Sequence, residues 1–345
     1  MKKLFIAVIS MAALASCTQE DIVINNANNA IAFDNAFVSA TTKAIDPSIT
    51  TASIADFQVW GNTQGDHTNA PVVPIFENET VRKDSVSGIW TYNVNKTQYW
   101  IDGNIYNFAA VKNGTVTELA DGLPKTINYS LSGTTGPDLL YASYGPYEAE
   151  ATGNSEVPFT FAHLLSKAVF TFENTTPDKK DGATTQPANI YKVTNIQISG
   201  LDANANYDVA SNEWKNNADG DCTENFGNIV GADSKQENKE AEPISEKQSG
   251  KSNYERLLIP GTHNVTITCK ITLYNDTVAD NRIVDVIDYN KTVQLTFEKG
   301  VAYNLILQAG LEQSIEFKVV EVENWNNPYE NVDTHEQGHD NTPSA

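Results

Sequence analysis

Four stretches of the sequence hold residue types whose spacing could do chemistry. Cys17 follows Leu14-Ala15-Ser16, the lipobox spacing in which a signal is cut before the cysteine and its thiol receives lipid. His335-Glu336-Gln337-Gly338-His339 has the H-E-x-x-H form, which holds zinc when both histidines stand one turn apart on a rigid, buried helix. Asp202, Asn204, Asn206 and Asp208, followed by Glu213, space oxygen ligands like a calcium loop. Gly250-Lys251-Ser252 matches the end of a phosphate-binding loop.

Three of the four fail on their own requirements. The histidine pair has Gly338 inside it, Pro328 and Pro343 around it, and no apolar face that would bury a helix. The calcium-like run carries Tyr207 where the loop needs glycine, so it reads as an Asn-rich connection between strands. Ser245 stands where a phosphate loop needs its first glycine. His163 is a lone histidine between apolar strands, where a structural hydrogen bond is expected. No catalytic residue, cofactor or metal site is predicted.

Cys17 fits its surroundings. Met1-Lys2-Lys3 gives a short positive start and Leu4 to Leu14 an apolar run too short to remain as a membrane-spanning helix. Residues 1–16 therefore read as a lipoprotein signal peptide, and the rest as a chain that works outside the cytoplasm. Acidic residues outnumber basic ones 44 to 23 in 345 residues, a net charge of -21. That field repels phosphate backbones and excludes nucleic acid as a natural partner. It also repels anionic head groups, so attachment to the outer membrane is assigned to the acyl chains of Cys17. The remaining thiols, Cys222 and Cys269, are expected unpaired, because Cys269 shares the apolar face of the alternating run Val265 to Leu273.

The elements that must position any site are strands. Ile31, Phe33 and Phe37 fall on one face; Phe57 and Val59, Trp90 and Tyr92, Tyr106 and Phe108, and Val157, Phe159 and Phe161 alternate in the same way. Later strands are predicted at 168–172, 191–198, 265–274, 293–297, 303–307 and 315–322, with glycine and Asn/Asp turns between them. The predicted class is all-β. Residues 44–153 form an N-terminal domain and 154–325 a C-terminal one, with the polar stretch 145–155 between them. Residues 17–43 form a leader that contains the first strand. Residues 216–253 read as a long exposed loop, and 326–345 as a polar tail. Gly103-Asn-Ile-Tyr106-Asn and Gly300-Val-Ala-Tyr303-Asn repeat one another, which suggests related halves.

In order along the chain, the lipobox, Phe57-Gln-Val-Trp60-Gly61, Trp90-Thr-Tyr92, Tyr99-Trp100, Tyr106-Asn-Phe108-Ala-Ala110, Asp138-Leu-Leu140, Phe159-Thr-Phe161-Ala-His163-Leu-Leu-Ser-Lys167 and Ile315-Glu-Phe317 to Trp325 form a series. This series resembles the fimbrillin family of Bacteroidales, the subunits of lipoprotein-derived type V pili. The resemblance implies two tandem transthyretin-like β-sandwich domains, no catalysis, and a subunit of a cell-surface fimbria that supports adhesion to host or bacterial ligands. It implies that a protease cuts after a basic residue, here between Lys43 and Ala44, and that the leader strand bearing Ile31, Phe33 and Phe37 then vacates a groove. A strand of a neighbouring pilin would fill it. Lys43 stands where the family usually has arginine. Arg82-Lys83 is a poorer cut, since it would remove the Phe57 to Trp60 strand. Ile315, Phe317 and Val319 are the donor candidates, or else belong to the last strand of the second domain. Without a donor, the subunit would sit at a tip or act as an uncut anchor. Glu20-Asp21 resembles a surface-export signal, and Asp84-Ser-Val86 and Asp276-Thr-Val278 resemble O-glycosylation sites.

Two other readings compete with this one. In the first, a monomeric surface lipoprotein stacks sugars on exposed Trp60, Trp90, Trp100, Trp214 or Trp325. In the second, the His335–His339 pair belongs to a secreted metalloprotease.

Overall fold

The computed structural model describes residues 29–38, 54–67, 69–131, 136–154, 156–176, 189–216, 221–231, 239–245, 247–275, 282–310 and 314–324. Among them the secondary structure is all β apart from one short 3₁₀ turn at Val94–Lys96. The predicted class is the observed one.

Seven strands make the first sheet: β1 (Phe33–Val38), β2 (Asp56–Gln64), β3 (Val72–Lys83), β4 (Trp90–Thr91), β5 (Ile105–Lys112), β8 (Leu140–Glu148) and β9 (Val157–His163), in the order β1-β9-β8-β5-β2-β3-β4. Alternation drives them inward: Val157, Phe159 and Phe161 are buried while Pro158 and Thr160 face water. The sheet curls until its edges approach, so that Phe33 of β1 meets Tyr92, just beyond β4, with ring centroids 5.7 Å apart. β9 lies at the start of the segment 154–325 that the sequence reads as C-terminal, yet it pairs with β8 and β1 in this first sheet. The polar stretch 145–155 includes the last residues of β8 and leads toward β9, its neighbour in the same sheet.

The second half is a sandwich. One layer holds β15 (Ile229–Gly231), β16 (Ser249–Ser252), β10 (Ser166–Asn174), β20 (Val301–Ala309) and β21 (Ile315–Asn324) in that order, with β17 (Arg256–Leu258) also on β10. The facing layer is β14 (Asp221–Gly227), β11 (Asn189–Asp202), β18 (Gly261–Asn275) and β19 (Ile283–Phe297). Phe170, Phe172, Tyr191, Ile198, Phe226, Ile267, Leu273, Leu305 and Leu307 fill the space between them. The expected exposed loop 216–253 is thus partly wrong. It contains β14, β15 and β16, because Phe226, Ile229, Val230 and Ile244 are a few apolar anchors that bury within a polar context.

A fourth sheet joins the halves. β6 (Thr115–Ala120) and β7 (Leu123–Ser130) come from the first half, and β12 (Asn204–Asp208) and β13 (Glu213–Asn216) from the second. β7 and β12 run antiparallel from Asn204 opposite Ser130 to Asp208 opposite Thr126. Between this sheet and the back of the first lie Trp60, Val111, Ile127, Tyr129, Leu139, Leu164, Leu165, Ala205, Tyr207 and Ile259. The calcium-like run is therefore a strand, with Ala205 and Tyr207 turned inward, where an irregular connection was expected.

Candidate functional site

The chain's least ordinary construction is the closure of the first sheet by residues 29–38. On one side β1 lies parallel to β9, with Phe33 opposite Val157 and Val38 opposite Phe161, and the Val157 N–H donates to Ala32 O at 2.8 Å. The register shifts between Asp34 and Phe37, and Phe37 lies opposite Thr160. On the other side residues 29–31 run against 98–100. The Ile31 N–H donates to Gln98 O at 2.8 Å, the Trp100 N–H to Asn29 O at 2.9 Å, and the Tyr92 hydroxyl to Ile31 O at 2.8 Å. Asn29 adds a side-chain bond to Trp100 O at 2.7 Å and accepts one from Asn154 at 2.9 Å. The segment is stitched along both edges.

Its side chains complete the core. Ile31 and Phe33 are buried. The Phe33 ring lies 5.6 Å from Phe76, 5.8 Å from Phe159 and 6.3 Å from both Phe57 and Phe108. Aromatic pairs at such spacings contribute beyond the area they bury. Without residues 29–38 the walls of an aromatic groove would remain, together with unpaired backbone groups at Val157, Gln98 and Trp100. Such a groove can bind one thing well, an extended segment with apolar side chains two residues apart.

The structure separates the other predicted site residues. Ile315, Phe317 and Val319 lie on β21, which pairs antiparallel with β20, placing Ile315 opposite Ala309, Phe317 opposite Leu307 and Val319 opposite Leu305. Val319 is buried, while Ile315 and Phe317 are half-buried against the core of the second sandwich. Cys17, Glu20-Asp21, Lys43, Ala44, Asp276-Thr-Val278, Trp325 and the His335–His339 pair lie outside the described residues. Asp84-Ser-Val86 forms an exposed turn in which the Asp84 carboxylate accepts from the Ser87 and Val86 N–H groups, holding that carboxyl below its ordinary range.

The lone histidine has a partner that sequence order hid. His163 Nδ1 meets the Asp138 carboxylate, and both side chains are without solvent exposure. Burial pushes the Asp138 carboxyl above its ordinary range, opposed by the hydrogen bond and charge of His163 and by Lys167. Both groups are enclosed, so the pair braces the corner where the start of β8 meets the end of β9. Gly250-Lys251-Ser252 is part of the paired strand β16, opposite Phe172 and Thr171, where a phosphate cradle needs a loop. Trp60, Trp90 and Trp100 are buried, and Trp214 is half-buried with its indole N–H on Leu164 O at 2.7 Å, so sugar stacking has no exposed tryptophan to use among the described residues. Both thiols are free. Burial raises Cys269 to about 12, and burial with the Glu224 carboxylate raises Cys222 to about 11, which makes both poor nucleophiles.

The described residues define an all-β protein of sandwich type, with one sheet closed by the chain's own residues 29–38. The chain is a member of the fimbrillin-like family, whose profile matches residues 42–325. A fimbrial protein from Bacteroides vulgatus shares the fold, with a TM-score of 0.62 at 18% identity over 86% of this chain and 100% of that one. A fimbrial anchor protein from Porphyromonas gingivalis is also similar, at 12% identity and a TM-score of 0.35 over 84% of this chain and 95% of that one. No curated protein sequence matches.

Proposed function

We propose that this chain is a non-catalytic structural subunit of a cell-surface fimbria and supports adhesion. It is exported as an outer-membrane lipoprotein through Cys17, cut between Lys43 and Ala44, and joined to other pilin subunits by strand exchange. The observation that carries this reading is the closure of the first sheet by residues 29–38. Ile31 and Phe33 supply core packing from a segment that precedes the cut and is held by non-covalent contacts along both edges. A second observation points to the donor. Ile315-x-Phe317 repeats the Ile31-x-Phe33 spacing on an edge strand where these two side chains are half-buried and Val319 is buried, so β21 of a second copy would present the pattern the groove accepts.

The test uses the chain beginning at Ala44 together with synthetic peptides of residues 29–38 and 314–324. Strand exchange predicts that the shortened chain assembles on its own or is trapped as a monomer by the leader peptide. The 314–324 peptide should compete for the same groove, and Phe317→Ala within it should abolish competition. A shortened chain that stays monomeric, folded and indifferent to both peptides would overturn the proposal. Mass spectrometry of the surface-associated protein tests the processing: Ala44 as its N-terminus supports the cut, and lipidated Cys17 alone indicates an uncut anchor.

A further inference from the structure

Residues 84–101 form a flap over the aromatic core. Its inward side chains pack closely: Trp90 on Phe57 at 5.1 Å, Tyr92 on Phe76 at 5.3 Å and Trp100 on Tyr106 at 4.7 Å between ring centroids. The residues between them turn outward. Ile89, Val94, Tyr99 and Ile101 are exposed, Val94 by 80%, and Val86 on the preceding turn by 94%. Five of the eleven exposed large apolar side chains among the described residues fall between 86 and 101. Scattered apolar residues need no explanation, but a run of them on the outer face of one flap does.

Two further observations say what covers it. Within 82–101 the charged residues are Arg82, Lys83 and Lys96 against Asp84 alone, in a chain whose net charge is -21. Within the flap itself only Asp84 and Lys96 are charged, Lys96 pairs with the Glu79 carboxylate at 2.8 Å and Asp102 follows directly, so the flap is close to neutral in an acidic chain. The flap is also where the leader leaves the fold, since Asn29 is bonded to Trp100. Cys17 lies twelve residues earlier, at most about 40 Å of extended chain.

We infer that the outer face of this flap is a lipid-contact surface, resting on a zwitterionic bilayer while the precursor is tethered. Val86, Ile89, Val94 and Ile101 enter the head-group boundary, and Tyr99 sits at its polar edge, as amphipathic rings do. An uncharged lipid surface carries no field for the remaining acidity to oppose. Because 98–100 is held in place by 29–31, removing the leader releases the tether and loosens the contact together. The tether belongs to the lipoprotein reading above; the surface chemistry does not.

The test uses the chain from Thr18 to Ala345, which keeps every described residue and lacks both signal and lipid, with phosphatidylcholine–phosphatidylethanolamine vesicles in a sedimentation assay. Binding that survives 0.5 M salt (about a 4 Å screening length) is expected. Partitioning should fall at least tenfold in Ile89→Ser/Val94→Ser/Ile101→Ser, a variant whose inward face is untouched. A Val94→Trp variant, which adds a tryptophan at a site exposed by 80%, should shift its emission to the blue on adding vesicles, relative to the unsubstituted chain. Absence of vesicle binding, equal binding by the triple-serine variant, or a dimer without vesicles that this variant abolishes would each overturn the inference. The result is independent of Cys17, so failure of the lipid assignment and failure of this surface are told apart.

Discussion

Two strand pairs among the described residues are parallel, β1 with β9 and β20 with β10, and they solve the same problem differently. β9 and β10 are nearly continuous, with only Leu164 and Leu165 between His163 and Ser166. Against β10 lies β20, in an unbroken ladder from Lys167 opposite Ala302 to Asn174 opposite Ala309, backed by β21. Against β9 lies β1, its ladder broken by a register shift and backed by residues 98–100. β20 is threaded into the second sandwich at both ends, following β19 and leading into β21. β1 belongs to a segment that contributes side chains and main-chain hydrogen bonds from the N-terminal side of the proposed cut. The parallel pair of the second half is closed by strands of that half, whereas the first sheet is closed by a segment that the proposed cut would release.

The strongest way to break that comparison is to remove the transferable part. Burial of Ile31 and Phe33 contributes roughly 1.5–3 kcal/mol each, and a domain has only about 5–15 kcal/mol in hand. In the chain from Ala44, amide hydrogen exchange should lose most of its protection in β2, β5 and β9. Protection in β10, β18 and β20 should persist, and the 29–38 peptide should restore the first set. Equal loss in both halves would show that the bridging sheet makes them one cooperative unit and that the contrast drawn above is false.

A smaller perturbation sharpens it. Phe33→Ala removes a fully enclosed ring and should cost about 3–5 kcal/mol. Phe317→Ala removes a half-buried ring from an edge strand and should cost about 1–2 kcal/mol, since only part of the transfer energy is at stake. Thermal unfolding should separate the two clearly, at about 2–4 °C per kcal/mol for a cooperative unit of roughly 150–250 residues. Near-equal shifts would mean that β21 is as integral to its sandwich as β1 is to the first sheet, and would weaken its candidacy as donor.

Much of this was legible in the sequence wherever the physics is local. Period-two alternation located β1, β9 and β18, and the Gly-x-x-Tyr-Asn repeat marked a real device. Gly103 and Gly300 both have positive φ, 76° and 70°, and three residues later each tyrosine hydroxyl accepts a backbone N–H from five residues upstream. The bonds are Ile101 N–H to Tyr106 at 2.9 Å and Glu298 N–H to Tyr303 at 2.7 Å. What composition hid was non-local. Asn204 to Asp208 looked like a loop because its polar residues dominate the count, yet Ala205 and Tyr207 alone suffice to seat a strand between the halves. The allegiance of β9 and the pairing of His163 with Asp138 depend on which strands become neighbours, and no local pattern encodes that.

The repeated device offers a matched test of the two halves. Tyr106→Phe and Tyr303→Phe each leave a backbone N–H without its acceptor and should each cost about 1 kcal/mol. Equal costs would show that the corners are energetically equivalent and that the asymmetry between the halves resides in the leader strand. A much larger cost at Tyr106, which also donates to Tyr99 O at 3.1 Å, would mean that its corner supports the flap edge against which residues 29–31 lie.

The smallest effect concerns the bridge between the halves. Lys215 and the Ser211 N–H hold the Asp208 carboxylate down to about 2, below the ordinary value of 3.8. A depressed carboxylate stabilises the fold above its ordinary value, and that contribution is lost as pH falls through about 4 toward about 2. Asp138 has the opposite sign: its raised value means that acid relieves the cost of burying a charge there. Acidification should therefore loosen the β12–β13 hairpin, which Asp208 and Lys215 close, without loosening the β8–β9 corner. Asp208→Asn should remove the acid sensitivity of β12 and β13 amides in hydrogen exchange and leave the corner unchanged. If the hairpin instead titrates identically in the variant, the ion pair contributes nothing to the bridge, and the coupling of the two halves must be assigned to the buried contacts of Tyr207, Ile127 and Leu165 alone.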